Sequence, residues 1–372
     1  VHSSFPPIPQ PPDWTIDWTT LDGFPWISDL KGCPQNPVRH AEGDVWTHVH
    51  MVCEAMAALP AWQALPDSER QIAFTAALLH DVAKPVCTRV EPDGSISSRG
   101  HSWRGAVRAR QILWRRGVPF QQREQVAAIV RHHLVPFFLS ESETPKRLAI
   151  EVSQTTRCDW LGIMAESDAR GRICPDPAQI IGQVEQFREA CAAAGCLRQP
   201  FVFPSDHARF VFFRDLERKH DDSPPAEFAS EVVLMSGLPG AGKDFWIRRH
   251  LPNHEVISLD ALRIDMGVAP SDPQGVVLQR AREIAVQHFA ARRSFVWNAA
   301  NLSRHVRNEC VRFFHENGAH VRIVYVEASP ERLFSQNRQR RRRVPESVIE
   351  RLLDRWEVPD VTEAHLVDWV VS

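Results

Sequence analysis

Two groups of residues in this chain have the types and the spacing to do chemistry. The first is Gly237, Gly240, Gly242 and Lys243, set in the stretch EVVLMSGLPGAGKDFW that runs from Glu231 to Trp246. An apolar run of strand length leads into a glycine-rich turn and a helix start, an order that fits the G-x-x-x-x-G-K-[ST] template except at its last position. Polyphosphate is held in such a loop by backbone N–H groups that must approach closely, so side chains are excluded where the glycines stand. Lys243 is then the charge that reaches the outer phosphates. Asp244 stands where a Ser or Thr hydroxyl usually meets Mg²⁺, and a carboxylate can hold that ion directly or through water. A strand-to-helix turn without any ligand is the plainer alternative.

The second group is a series of histidines that recur in helical segments. They are His48 and His50 in GDVWTHVHMV, His80 beside Asp81 in LLHDVAKP, His101 in RGHSWRG, and His132 and His133 in VRHHLVP, followed by Asp168 in ESDARGR. An imidazole beside a carboxylate suits divalent metals that accept both nitrogen and oxygen. For a single histidine a hydrogen-bonded structural role is the simpler reading, and His50 and His207 are left in it. Asp168 alone could be a helix cap, and Lys84, Arg104 and Arg170 either bind phosphate or are solvated.

The elements that must position these residues fall into three regions. Residues 1–41 are rich in Pro and Trp, cannot sustain a long helix, and carry enough aromatic surface to pack on the first domain. From 42 to 225 an all-α domain is expected, its apolar spacing helical as far as about Ala194 and its segment 205–222 hard to place. The polar stretch Asp221–Glu227 is the expected linker. From 226 to 372 strand patterns at Glu231–Ser236, Glu255–Leu259, Ser294–Asn298 and Val321–Glu327 alternate with helical ones such as Gln274–Arg292, which predicts an α/β domain with a parallel sheet.

Bulk properties agree with two soluble domains. The chain has 372 residues, 43% hydrophobic and 24% charged, with a formal net charge of -2. No global basic field announces a nucleic-acid partner, so any such surface is local. Eight cysteines without a C-x-x-C pair argue against a zinc knuckle and read as reduced thiols. No apolar run approaches the length of a membrane span and the start VHSSFPPIPQPP lacks a signal-peptide pattern, so a cytoplasmic location is expected, with no membrane partner.

The order His48, His80-Asp81, His101, His132/His133, Asp168 resembles the HD phosphohydrolase superfamily over roughly Glu42 to Arg172. EGDVWTH and GHSWRG are also similar to the HD domains of CCA-adding tRNA nucleotidyltransferases. This resemblance implies that His48, His80, Asp81 and Asp168 hold one divalent transition metal. It implies that His101 and one of His132 or His133 complete a second, with Asp81 bridging. Such ions turn water into a nucleophile and neutralise phosphate charge.

Downstream of the glycine loop, VISLDALR resembles the polynucleotide kinase family. There Asp260 would accept the proton of a 5′-OH and Arg263 would bind the neighbouring phosphate; a helix N-cap and a surface arginine are the alternative. In FVWNAANLSRHVR, Asn298 stands where that family carries an acid. Asn301, Arg304 and Arg307 are left as phosphate or substrate contacts, or as a helix start. NRQRRRRVPESVIERL, with Arg338 and Arg340–Arg343, resembles the arginine lid that closes over the triphosphate, Arg338 and Arg342 being the first choices.

An HD domain followed by a P-loop kinase is similar to the bacterial HD-domain polynucleotide kinases, which heal RNA ends. What this implies is an enzyme using ATP or another NTP with Mg²⁺ to phosphorylate the 5′-OH of an RNA or DNA strand end, and an HD site hydrolysing 2′,3′-cyclic or 2′/3′-phosphate ends. A small-molecule or nucleoside kinase fused to an HD nucleotidase is the alternative, and a nucleotide-binding regulator without turnover is a third.

Overall fold

The structure is a computed structural model that describes residues 5–269, 272–340 and 342–372. Two compact units divide the chain, Val1–Phe201 and Val202–Ser372.

In the first unit each run of apolar residues at three- and four-residue spacing closes into a helix. The main ones are α1 (Val45–Ala58), α2 (Asp67–Leu79), α3 (His101–Arg115), α4 (Phe120–His132), α5 (Pro145–Ser153), α6 (Cys158–Arg170) and α7 (Pro177–Ala193). Helix α1 shows the logic. Asp44 caps its start, accepting from Thr47 N at 2.8 Å, and Val45, Val49, Val52, Cys53 and Met56 form one fully buried face. A two-strand hairpin, Arg89–Val90 against Ile96–Ser97, adds a strand pair to a region expected to be helix alone. It is too short to leave an alternating pattern.

The Pro- and Trp-rich extension lies on this unit. Gln71 Nε2 donates to Pro6 O (2.8 Å), Trp18 Nε1 donates to Glu54 (2.7 Å), Trp18 stacks on His50, and Leu21 and Ile27 are fully buried. The aromatics therefore add apolar area to the helical core.

The second unit opens with α8 (Asp206–Arg214) and continues as β1 (Ser230–Ser236), α9 (Lys243–His250), β2 (Glu255–Ser258), α10 (Leu259–Asp265), α11 (Gly275–Ala290), β3 (Phe295–Asn298), α12 (Arg304–Glu316), β4 (Ala319–Glu327), α13 (Pro330–Gln339), α14 (Glu346–Leu353) and β5 (Leu366–Val371). The five strands are ordered β2-β3-β1-β4-β5 and pair in parallel throughout. The central strands are buried on both faces, which is why β1 reads as a continuous apolar run. Strand β5 is not expected from the sequence. It is an edge strand with no fully buried residue, and it carries no core-facing period.

The division at Phe201 falls well before the linker expected at Asp221–Glu227, because α8 packs on the second unit. Arg209 donates to the carbonyls of Val361 and His365 (both 2.9 Å), Arg214 donates to Glu363 O (2.8 Å), and the fully buried Phe210 stacks on His365. Those partners lie about 150 residues onward, beyond the reach of local pattern.

Candidate active sites

In the first unit, helices α1, α3 and α6 and the C-terminal ends of α2 and α4 bring six of the sequence-nominated side chains to one point. His80 Nε2 lies 3.4 Å from His48 Nε2 and 3.2 Å from Asp81 Oδ2. His48 Nε2 is 3.2 Å from Asp168 Oδ1, and His101 Nε2 is 3.2 Å from His133 Nε2 and 3.4 Å from Asp81 Oδ1. The donors thus form two groups, His48–His80–Asp168 and Asp81–His101–His133. Asp81 turns one oxygen toward each. Of the histidine pair, His133 joins the cluster and His132 does not.

The Nε2 atoms are available because of what the other ring nitrogens do. Nδ1 of His80, His101 and His133 faces the carbonyls of Ala77 (2.7 Å), Ser98 (2.7 Å) and Val130 (2.8 Å). A carbonyl only accepts, so each Nδ1 carries the proton and each Nε2 presents a lone pair. His48 Nδ1 is held by Gly171 O (3.2 Å) and by Glu42 Oε1 (2.8 Å). Gly171 must be glycine for this approach, since a Cβ there would lie 2.5 Å from the backbone of Val52 in α1.

The electrostatics keep His133 neutral and Asp81 and Asp168 ionised, the forms that bind a cation, and favour a proton on His48 that an incoming ion would displace. Burial pushes His133 down to about 3, helped by its neighbours His101 and His80. Burial would raise Asp81, but the charges of Lys84 and His80 hold its carboxyl well below the usual range; Arg172 and His48 do the same for Asp168. Burial works against protonating His48, yet its bonds to Asp168 and Glu42 outweigh that and raise it.

Both Asp81 oxygens are buried without a well-formed hydrogen bond, although Lys84 Nζ sits 2.6 Å from Oδ2. A buried carboxylate with the Nε2 atoms of four imidazoles close around it is a donor set for divalent cations. The residues fit the metal centre that the sequence implies.

The supporting residues are less visible in sequence. Glu42 spans His40 (2.9 Å), His48 and Ile173 N (2.8 Å), and its carboxyl is lowered by those bonds despite burial. Gln35 accepts from Lys84 (2.6 Å), and Arg172 pairs with Asp168. Glu42 and Gln35 lie in irregular segments before α1, where no period marks them. Asp168 sits in the last turn of α6 and is no N-cap. Arg170 is turned to Glu166, away from the cluster.

In the second unit the glycine loop bridges β1 and α9. Gly237 takes φ +141, and a Cβ there would meet Val326 O of β4 at 2.2 Å. Gly240 and Gly242 also have positive φ. Lys243 Nζ donates to Gly237 O (2.7 Å) and Leu238 O (3.1 Å), folded over the loop it serves. Burial brings Lys243 down to about 8; Asp244 and Asp260 oppose that fall and Arg340 adds to it. Lys243, Asp244, Asp260 and Arg340 therefore share one electrostatic neighbourhood.

Asp244, at the first turn of α9, accepts from Asn298 Nδ2 at 2.7 Å. The two departures from the motif are thus one pair, a carboxylate on the loop helix facing an amide at the end of β3. Asp260 accepts from Arg263 Nη2 at 2.5 Å, and the cap of α10 is Ser258, so Asp260 is free of that duty.

The arginine segment is pinned at its base. Asn337, buried in α13, donates to Val344 O (2.8 Å) and accepts from Val344 N (3.1 Å). Within it, Arg338 is exposed and paired with Glu346 (3.4 Å), Arg342 is exposed, and the partly buried Arg340 is the one whose charge reaches Lys243. Arg341 lies outside the described residues. Asn301, Arg304 and Arg307 are committed internally. Asn301 donates to Met235 O, Arg304 pairs with Asp360, and the fully buried Arg307 makes a two-pronged pair with Glu363 (2.7 and 2.8 Å).

Comparison with known proteins agrees with this division. Residues 44–162 match the HD domain family, and residues 232–359 match the AAA domain family. A Multifunctional CCA protein from Halorhodospira halophila (strain DSM 244 / SL1) is 32% identical over 111 residues, which are 30% of this chain and 24% of that protein's length. Among solved structures, a candidate kinase from Chloroflexus aurantiacus j-10-fl aligns at 18% identity and TM-score 0.32, covering 39% of this chain and 86% of that one. A sugar kinase from Janibacter sp. HTCC2649 aligns at 17% and 0.30, covering 38% and 85%.

Proposed function

For a chain in which an HD domain precedes a P-loop kinase-like domain, we propose a two-site enzyme that heals broken RNA ends. One site transfers the γ-phosphate of an NTP to a polynucleotide 5′-OH, and the other hydrolyses a 2′,3′-cyclic or 2′/3′-phosphate. The observation that carries the kinase half is the glycine loop, with Gly237 pressed against Val326 O and Lys243 folded over the carbonyls of Gly237 and Leu238, followed by Asp260 with Arg263 on it. An ionised Asp260 takes the proton of the attacking hydroxyl as its oxygen bonds to the γ-phosphorus and the bridge to the β-phosphate breaks. Lys243 exchanges its loop carbonyls for phosphate oxygens, and Arg340 supplies charge from the lid. Arg263, paired with Asp260, would meet the phosphate next to the 5′-OH, a role that favours a polymer over a nucleoside. Asp244, steadied by Asn298, would hold Mg²⁺ on the triphosphate.

In the HD site, His48, His80 and Asp168 would hold one divalent ion and Asp81, His101 and His133 a second. Bound there, the ions supply activated water and neutralise the phosphate. Glu42 fixes the His48 ring, Arg172 fixes Asp168, and Lys84 adds positive charge beside Asp81 for the incoming anion.

The test is transfer of labelled γ-phosphate from ATP to a short 5′-OH RNA ending in a 2′,3′-cyclic phosphate, with Lys243→Ala and Asp81→Ala beside the parent. Labelling lost only with Lys243→Ala and 3′-end hydrolysis lost only with Asp81→Ala is the expected result. A parent that labels no oligonucleotide with Mg²⁺ or Mn²⁺ ends the polynucleotide reading and turns the search to small metabolites.

A further inference from the structure

Away from the histidine cluster, the first unit brings three thiols together. Cys191 and Cys196 meet through the way α7 ends. Gly195 adopts φ +70, and Cys196 N donates back to Cys191 O at 2.8 Å. This is the six-to-one bond of a glycine-terminated helix, a motif that sets the side chains flanking the turn against each other. That contact is usually apolar; here it is two sulfurs. The third, Cys158, is the first residue of α6. All three are fully buried, and their sulfurs lie within 4.8 Å of one another.

We infer that Cys158, Cys191 and Cys196 form a thiolate site for a soft closed-shell metal ion, separate from the histidine–aspartate cluster. The donor set selects the ion. Three sulfurs with no imidazole or carboxylate in the group suit monovalent copper in a three-coordinate arrangement, whereas structural zinc takes four donors. Each thiol that binds releases its proton to solvent, so uptake of the ion is coupled to proton release. Cys196 Sγ donates to Ala149 O only over a long 3.8 Å. The site joins the start of α6 to the end of α7, two helices that pack on each other, so an occupied site would clamp the helix that carries Asp168 in its last turn.

The test uses the full chain, reduced and stripped of metal. It is titrated with Cu(I) delivered from a bathocuproine complex, and separately with Zn²⁺, beside Cys191→Ala and Cys158→Ser. Cu(I) uptake is expected to be one equivalent greater in the parent than in either variant, with a thiolate-to-copper ultraviolet band. Cys158, Cys191 and Cys196 should be protected from alkylation while Cys174 is not. The histidine cluster is the same in all three proteins and cancels from the difference. Protection by Zn²⁺ in place of Cu(I) supports the thiolate site and reassigns its ion. Equal uptake in parent and variants, or three cysteines alkylated at the same rate with and without either ion, overturns it. A Cys191–Cys196 disulfide formed on mild oxidation without any ion uptake overturns it too. Should a variant fail to fold, the parent decides by its ultraviolet absorption: no thiolate-to-metal band at one equivalent of either ion overturns the site.

Discussion

Lys243 makes nucleotide binding titrate in an accessible range. In the free protein burial brings its ammonium down to about 8, and its protons go to two carbonyls of its own loop. A polyphosphate replaces those carbonyls with anionic oxygens and restores the ordinary lysine value of 10.5 or more. That restoration couples about 3 kcal/mol of binding to one proton. Affinity for a non-hydrolysable ATP analogue with Mg²⁺ should be flat up to about pH 7, then fall toward tenfold per unit, reaching about thirtyfold weaker at about pH 9.5. Calorimetry in two buffers of different ionisation heat should count close to one proton taken up per nucleotide at the upper end. Lys243→Arg carries a charge that does not titrate there, and its profile should be flat. In the ligand-free protein the sign reverses: a depressed lysine makes the second unit more stable as pH rises from about 8 toward 10.5, because the unfolded chain then holds the extra proton. A parent profile that stays flat to about pH 9.5, or one that falls equally in Lys243→Arg, would refute the assignment of the titration to this residue.

Three further outcomes are expected. Glu42→Gln, which loosens the His48 ring, should weaken divalent-metal binding at the histidine cluster by about ten- to a hundredfold while nucleotide binding holds; unchanged metal content after dialysis against chelator would contradict this. Gly171→Ala forces a methyl into Val52 of α1 and should destabilise the first unit by about 1–3 kcal/mol, read as a lower denaturant midpoint with the second unit's transition unmoved. Asp244→Ala should abolish Mg²⁺-dependent phosphoryl transfer, and the exchange Asp244→Ser with Asn298→Asp should restore part of it; a silent exchange would mean that the carboxylate cannot be moved between α9 and β3.

How much of this is legible in the sequence depends on the range of the signal. The glycine loop is plain because its strand, turn, lysine and helix are contiguous, and β1, β3 and β4 are plain because buried parallel strands leave apolar runs. His48, His80, Asp81, His101 and Asp168 need only residue type and order; His132 against His133 is settled by which of two adjacent side chains turns inward. What escapes the sequence is what long-range geometry makes. Asp244 and Asn298 each look like a defect and prove to be partners 54 positions apart. Arg304 and Arg307 look available for substrate until Asp360 and Glu363 claim them. Arg338 and Arg342 are the first choices in sequence, but spacing does not tell which arginines of a turn face inward, and both are exposed. Glu42 has no pattern at all, since a loop side chain is placed by what it reaches.

The anchoring of α8 decides where this chain can be cut. A fragment begun at the polar stretch 221–227 would contain every strand and the whole glycine loop, and so would look complete by its motifs. It would also leave the carbonyls of Val361, Glu363 and His365 without the guanidinium donors of Arg209 and Arg214, and would uncover the face that Phe210 closes. A clone of the phosphate-binding half should therefore begin at Val202, where the compact unit itself begins.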